Sequence, residues 1–290
     1  MNELRDLAKK LLTDGTVKVV LGYEQGPRGV RPLFATRVED TERLIFDPRC
    51  VQNLVTFLNP RRAHLKRLGK MAVVVKACDA RAAAGLLRES QLKRDDVVLI
   101  GVRCGGVVTD PAGAASLTAD TVAPRCGTCP SRVPTLADHV VGPELPAPPV
   151  NASEDEWMAR LDAMTHADRW AFWMGELERC VRCNACREVC PLCFCERCVQ
   201  DKSQPQWIES SPHVRGNLSW HLTRALHLAG RCSGCSECAR ACPAGIPLNL
   251  LNRQAARTVA TRYGYVVGDD PGVPAPIGAF RHDDAEEFIR

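Results

Sequence analysis

The chain has no apolar run long enough to cross a bilayer. Its longest, Met71 to Val75 and Val97 to Val102, fall far short of the roughly 20 residues that a spanning helix needs, so direct membrane insertion is not expected. It has little excess of charge either: a formal net charge of +4 over 290 residues, spread along the chain, leaves no footprint for nucleic acid. The block Arg61, Arg62, Lys66, Arg67 and Lys70 reads as a solvated helix face, with a docking patch for an acidic partner as the sharper alternative. No secretory signal opens the sequence, which makes a reducing, cytoplasmic and anaerobic setting the expectation. Paired carboxylates, a nucleophile elbow and a phosphate-binding glycine fingerprint in its required context are all missing. Hydrolytic chemistry has no support, and no catalytic residue is named.

What the chain has in abundance is cysteine, sixteen in all. Eight of them fall in two copies of C-x2-C-x2-C-x3-C-P: Cys180, Cys183, Cys186, Cys190 before Pro191, and Cys232, Cys235, Cys238, Cys242 before Pro243. This is the spacing by which bacterial-type two-cluster ferredoxins hold a pair of 4Fe-4S cubanes. Three closely spaced cysteines wrap one cluster, while the fourth, ahead of a proline that cannot continue a helix, is directed to the neighbouring cluster. The expected sets are therefore Cys180, Cys183, Cys186 with Cys242, and Cys232, Cys235, Cys238 with Cys190. Zinc is the rival, but a tetrahedral site has no use for a third cysteine at that spacing and a trailing Cys-Pro. A disulfide framework is disfavoured for thiols in a reducing compartment. Electron transfer is the leading function.

The rest of the chain divides around these runs. Met1 to Leu12 has helical spacing, Val17 to Tyr23 and Val30 to Thr36 read as strands, and a helix is expected over Pro48 to Leu58. Strand Met71 to Lys76, helix Ala80 to Glu89 and strand Asp96 to Val102 form a βαβ unit. Four prolines in Pro143 to Val150 mark a linker. Helices follow at Asp155 to Met164, Trp170 to Arg179, Leu218 to Ala229 and Leu248 to Tyr263, before a Pro/Gly-rich tail. The expected fold is an α/β N-terminal domain with a partly parallel sheet (1–142), a linker and connecting helix (143–168), a mainly α-helical ferredoxin-type C-terminal domain (169–265) and an irregular tail (266–290).

Cys78 and Cys104 follow two parallel strands, whose carboxyl ends face the ligand crevice of an α/β sheet. With Cys126 and Cys129 they make four thiols, enough for a third 4Fe-4S cluster or, failing that, a zinc. Cys193, Cys195 and Cys198 belong to neither run; a further cluster, a zinc or a reactive dithiol is open there, with Cys50 the one unassigned thiol and a core position its simpler reading. Lys76, Asp79 and Arg81 are candidates for tuning a cluster. His213, His221 and His227 read as surface or packing residues.

Two resemblances sharpen this. Residues 170–265 resemble the α-helical ferredoxins found in the heterodisulfide reductase and anaerobic glycerol-3-phosphate dehydrogenase C subunits and in succinate dehydrogenase iron–sulfur subunits, on the two cysteine runs and their helix-rich spacer. Residues 15–140 resemble the beta-subunit family of coenzyme F420-reducing hydrogenase and formate dehydrogenase, on Lys76-Ala77-Cys78-Asp79, Gly101-Val102-Arg103-Cys104 and Cys126-Gly127-Thr128-Cys129. Ala77 stands where that family has proline. The resemblance implies that Cys78, Cys104, Cys126 and Cys129 ligate a cluster beside a flavin that exchanges hydride with the deazaflavin coenzyme. FAD is then the added cofactor, with Gly26, Arg28, Gly29, Lys76, Gly105 and Gly106 as its candidate contacts. Hydrogenase, formate dehydrogenase or heterodisulfide reductase subunits are the implied redox partners. The alternatives are a flavin-containing oxidoreductase acting on F420 or a disulfide and, remotely, a zinc-structured module.

Overall fold

The computed structural model describes residues 1–127, 129–209, 211–280 and 282–283. Helix α1 (Asn2–Thr13) leads into an antiparallel hairpin of β1 (Val19–Gly26) and β2 (Gly29–Ala35), then β3 (Met71–Val75), α2 (Ala77–Arg88), β4 (Val97–Val102), the single turn α3 (Pro124–Gly127) and β5 (His139–Val141). The sheet order is β2-β1-β3-β4-β5. β1, β3, β4 and β5 are parallel neighbours, and only β2 runs against them. Strands β3 and β4 are buried along their whole length, as a parallel sheet covered on both faces requires.

The helical part comprises α4 (Ser153–Ala163), α5 (His166–Glu178), the one-turn α6 (Ala185–Glu188), α7 (Val214–His227), the one-turn α8 (Glu237–Arg240) and α9 (Leu248–Tyr263). The α/β architecture and the helix-rich ferredoxin region match expectation. The helix expected at Pro48 to Leu58 does not form: only a 3-10 turn, Leu54–Leu58, is present. Val51, Val55 and Thr56 lose rotamer freedom in a helix, and the Asn53 side chain accepts from Val55 N at 3.0 Å, fixing a turn instead.

Helix α2 is alanine-rich because it is covered twice. Ala80, Ala82, Ala83, Ala84 and Gly85 are all buried, and a β-carbon on Gly85 would come 2.8 Å from Leu192 Cδ2. The segment after the first cysteine run therefore lies on α2. Leu192 and Leu228 join the core of the sheet, so one apolar interior runs beneath the thiols of both regions. Arg61 belongs to this junction rather than to a solvated face: it pairs with Glu188 at 2.6 Å and donates to Arg187 O at 2.8 Å. Arg62 donates to Glu188 O, while Lys66, Arg67 and Lys70 are exposed. Asn59 Nδ2 donates to the carbonyls of Pro191 and Cys193.

Candidate metal centres

The two cysteine runs build the same local structure. Arg182 and Gly234, then Asn184 and Ser236, take left-handed backbone at matching positions (φ 54° and 71°, then 60° and 52°). Each pair turns the chain so that successive thiols face one point, and a one-turn helix then carries the third cysteine, Cys186 or Cys238, to a buried position. Cys190, Cys232, Cys235 and Cys238 line one cavity of about 60 Å³. Cys180, Cys186 and Cys242 pack together beneath Trp220, Ile246 and Leu248, and the exposed Cys183 lies close enough for its charge to act on Cys180 and Cys186. The last cysteine of each run thus sits with the first three of the other.

Cys78, Cys104, Cys126 and Cys129 line a cavity of about 40 Å³ at the carboxyl ends of β3 and β4. Gly234 borders both this cavity and that of Cys190. The first run has Arg182 at the position of Gly234; with no side chain there, the two cavities share a wall. The Cys190 set adjoins the Cys78 set at Gly234 and the Cys180 set at Arg224, which lines its cavity and donates to Cys186 O.

Sulfur-directed donors surround them. His221 Nε2 lies 3.3 Å from Cys180 Sγ, Val107 N donates to Cys126 Sγ at 3.4 Å, Ile246 N to Cys242 Sγ at 3.4 Å and Asn252 Nδ2 to Cys238 Sγ at 3.6 Å. Burial pushes several of these thiols up, Cys186 and Cys235 to about 11 and Cys232 to about 12. Such groups stay protonated unless a metal takes them, and loading must release protons. Two cations face the sulfurs, Arg224 buried and Arg125 nearly so. Arg125 lies 3.8 Å from Glu237 and donates to Val51 O at 3.1 Å. Arg224 is held by Cys186 O at 3.1 Å; among the described residues no carboxylate reaches it, and its Nε has no partner. A buried cation without a counter-charge is costly. An anionic cluster in either adjoining thiol set supplies one, so the donor set fits 4Fe-4S groups.

The sequence gives Arg125 and Arg224 no role, and leaves His221 as a surface or packing residue. It is the latter: it is buried against the Trp220 ring, and burial pushes its imidazole down to about 3. The available signal was the spacing Asn217, Trp220, His221, Arg224, Leu228 along α7, one helix face carrying three polar residues. Lys76 is buried and pairs with Asp79 at 2.8 Å, and it borders the Cys78 cavity together with Arg81.

The flavin candidates come together only in part: Lys76 and Gly106 border the Cys78 cavity, but Gly26, Arg28 and Gly29 do not. Gly26 and Gly29 close the β1–β2 hairpin, and Arg28 is exposed at its tip. Gly105 and Gly106 instead line a largely apolar cavity of about 580 Å³ at the ends of β4 and β5, with Val141, Leu145 and Pro148. Gly106, at φ 110°, and Pro148 also border the Cys78 cavity. Cys50 is a core residue: burial pushes its thiol to about 12, and Asp47 N donates to it. Cys193, Cys195 and Cys198 line one further cavity of about 50 Å³. A hydrogen bond with Cys190 holds the Cys193 thiol down at about 7.

A tetrahedral zinc would draw its sulfurs to about 2.3 Å from one point; among the described residues no three His, Cys, Asp or Glu side chains converge in that way. Nor, among them, is any helix long and apolar enough to cross a membrane. A family model described as a 4Fe-4S dicluster domain matches residues 176–246. The chain is 33% identical to the F420-dependent formate dehydrogenase subunit beta of Methanocaldococcus jannaschii over 35% of its own length and 26% of that relative's. With the F420-dependent formate dehydrogenase 1 subunit beta of Methanococcus maripaludis it shares 21% identity over 94% of its own length and 92% of the relative's. The match thus spans about a quarter of the first relative and nearly all of the second. Residues 176–246 thus form a 4Fe-4S dicluster domain, within a chain that is similar to formate dehydrogenase beta subunits.

Proposed function

We propose that the chain is the electron-relay subunit of an anaerobic oxidoreductase complex of formate dehydrogenase, hydrogenase or heterodisulfide reductase type, working in the cytoplasm. One 4Fe-4S cluster would be held by Cys78, Cys104, Cys126 and Cys129, a second by Cys190, Cys232, Cys235 and Cys238, and a third by Cys180, Cys183, Cys186 and Cys242. When bound, such clusters supply reversible one-electron oxidation and reduction. The chain's own residues position the thiols, shield most of them in part from water and set cations against them. The observation that carries this reading is the adjacency of the thiol sets: the Cys78 and Cys190 cavities share the wall at Gly234, and Arg224 joins the Cys190 cavity to Cys186 O. Relay fits better than turnover because each set already has four sulfurs and so leaves no open coordination position. We further propose that the division at residue 143 separates an α/β unit holding one cluster from a helical unit holding two.

Protein purified without oxygen is expected to carry at least about twelve irons and as many acid-labile sulfides per chain. The crossed assignment makes Cys190→Ser a lesion of the set formed by the second run, and Cys242→Ser a lesion of the first. Fewer than about eight irons in the parent chain would remove the reading.

The cavity bordered by Gly105, Gly106 and Val141 favours a second reading, a flavin-containing oxidoreductase acting on F420 or a disulfide. It is large enough for an isoalloxazine ring and shares Gly106 and Pro148 with the Cys78 cavity. Flavin released by denaturing the anaerobic protein, together with turnover of reduced F420 by the chain alone, would favour this reading over pure relay.

A further inference from the structure

The thiols of Cys193, Cys195 and Cys198 are left over from the three sets, and the sequence offers them no fourth partner nearby. The fold does. His227, at the last turn of α7, lines the same cavity as these three cysteines. It is exposed, and among the described residues its ring makes no hydrogen bond or ion pair. Cys50, the arithmetical alternative, is sealed in the core against Asp47 and Ile45. Nothing in the spacing announces the histidine, because it comes from a helix that lies far along the chain.

We propose that Cys193, Cys195, Cys198 and His227 hold a fourth 4Fe-4S cluster at the protein surface, beside the Cys190 set. The inference rests on the relay reading above and adds a site to it. Its cavity, about 50 Å³, lies between the two other thiol-lined cavities in size, about 40 and 60 Å³. The four side chains line one cavity from two segments, three cysteines from the loop after the first run and one histidine from the last turn of α7; metal analysis separates a cubane there from a three-cysteine, one-histidine zinc site. Leu192 and Arg224 form a wall shared with the Cys190 cavity, so Arg224, without a carboxylate of its own, faces sulfur on both sides. Cys195 is exposed and Cys193 and Cys198 are half-buried. The exposed Cys195 and His227 place the site where a partner's redox centre can approach, whereas the Cys190 set has no exposed cysteine.

The test is iron, sulfide and zinc analysis of the full chain, expressed anaerobically and supplied with ferrous iron and sulfide, beside Cys195→Ser/Cys198→Ser and His227→Cys variants. The parent is expected to hold about sixteen irons and the double serine variant about twelve. Retention of the other three centres in the variant, seen in its redox-titrated electron paramagnetic resonance, would show that it is folded. His227→Cys should keep about sixteen irons and lower the potential of one centre alone, because histidine ligation raises potentials relative to thiolate. Equal iron in the parent and the double variant overturns the fourth cluster while leaving the relay intact. One zinc per chain, lost in the double variant, also overturns it. Potentials in His227→Cys identical to the parent's exclude the histidine as ligand. A parent with fewer than about eight irons instead defeats the relay reading itself.

Discussion

Replacing Lys76 with methionine lowers the stability of the folded chain by about 3–5 kcal/mol, the usual cost of removing one partner from a buried ion pair. Both side chains of the pair are almost wholly shielded, at 2% and 1% exposure. Lys76 Nζ also donates to Tyr23 Oη at 2.6 Å and to Gln52 O at 2.9 Å. Methionine fills the stem's volume but leaves the Asp79 carboxylate, the Tyr23 hydroxyl and the Gln52 carbonyl without that donor. Asp79 keeps one role, accepting from Lys76 N at 3.1 Å at the start of α2, so Lys76→Met/Asp79→Leu should recover most of the loss but not the cap, worth about 1 kcal/mol. Burial acts to lower the Lys76 ammonium, but the attractions of Asp79, Tyr23 and Cys78 outweigh it and raise the group well above its ordinary value. A folded-state value above the unfolded one makes the contribution complete through the acid and neutral range, and it is lost only as pH rises through the folded value. The deficit should therefore be the same near pH 7 and near pH 9, both below the ordinary lysine value of about 10.4. Anaerobic urea unfolding of parent and variants measures it; a deficit under about 1 kcal/mol would show that the pair is not buried as described.

Local chemistry explains which parts of this architecture were readable in advance. The βαβ unit was legible because Met71 to Val75 and Val97 to Val102 are apolar throughout and flank an alanine-rich helix. The placing of Cys190 beside Cys232, Cys235 and Cys238, and of Cys242 beside Cys180 and Cys186, was legible because proline cannot continue a helix after the last cysteine of each run. Gathering Cys78, Cys104, Cys126 and Cys129 needed only the rule that strand ends share an edge. What spacing does not encode is the junction between the two regions. Arg61, Asn59 and Gly85 meet Glu188, Pro191 and Leu192 across more than a hundred residues of chain. Strand β5 was missed because three residues, His139–Val141, carry no period. Arg125 and Arg224 read as ordinary solvated charges in a sequence, since only the fold shows that thiols stand on one side of them and apolar side chains on the other. Gly26, Arg28 and Gly29 suggested a phosphate loop because glycine serves a hairpin turn and a phosphate cradle through the same backbone freedom.

Arg224→Met is expected to lower the reduction potentials of the centres held by the two cysteine runs by about 40–130 mV. That range is about 1–3 kcal/mol of charge interaction in a protein interior, expressed for one-electron couples. Reduction adds negative charge, which a nearby cation favours, so removing the cation disfavours the reduced form. Arg224 is the stronger lever of the two buried guanidinium groups for a structural reason. Glu237 stands 3.8 Å from Arg125 and offsets its field, whereas among the described residues no carboxylate accompanies Arg224, which borders the Cys190 cavity directly. The corresponding Arg125→Met change should therefore shift its neighbouring centres less. Arg224→Lys keeps the charge and should restore most of the potential, which separates a field effect from lost packing around Cys186 O. Potentiometric titration followed by electron paramagnetic resonance measures each centre in the same sample, with iron content confirming that all remain loaded. Full iron content with potentials within about 15 mV of the parent would mean that the guanidinium does not govern these centres.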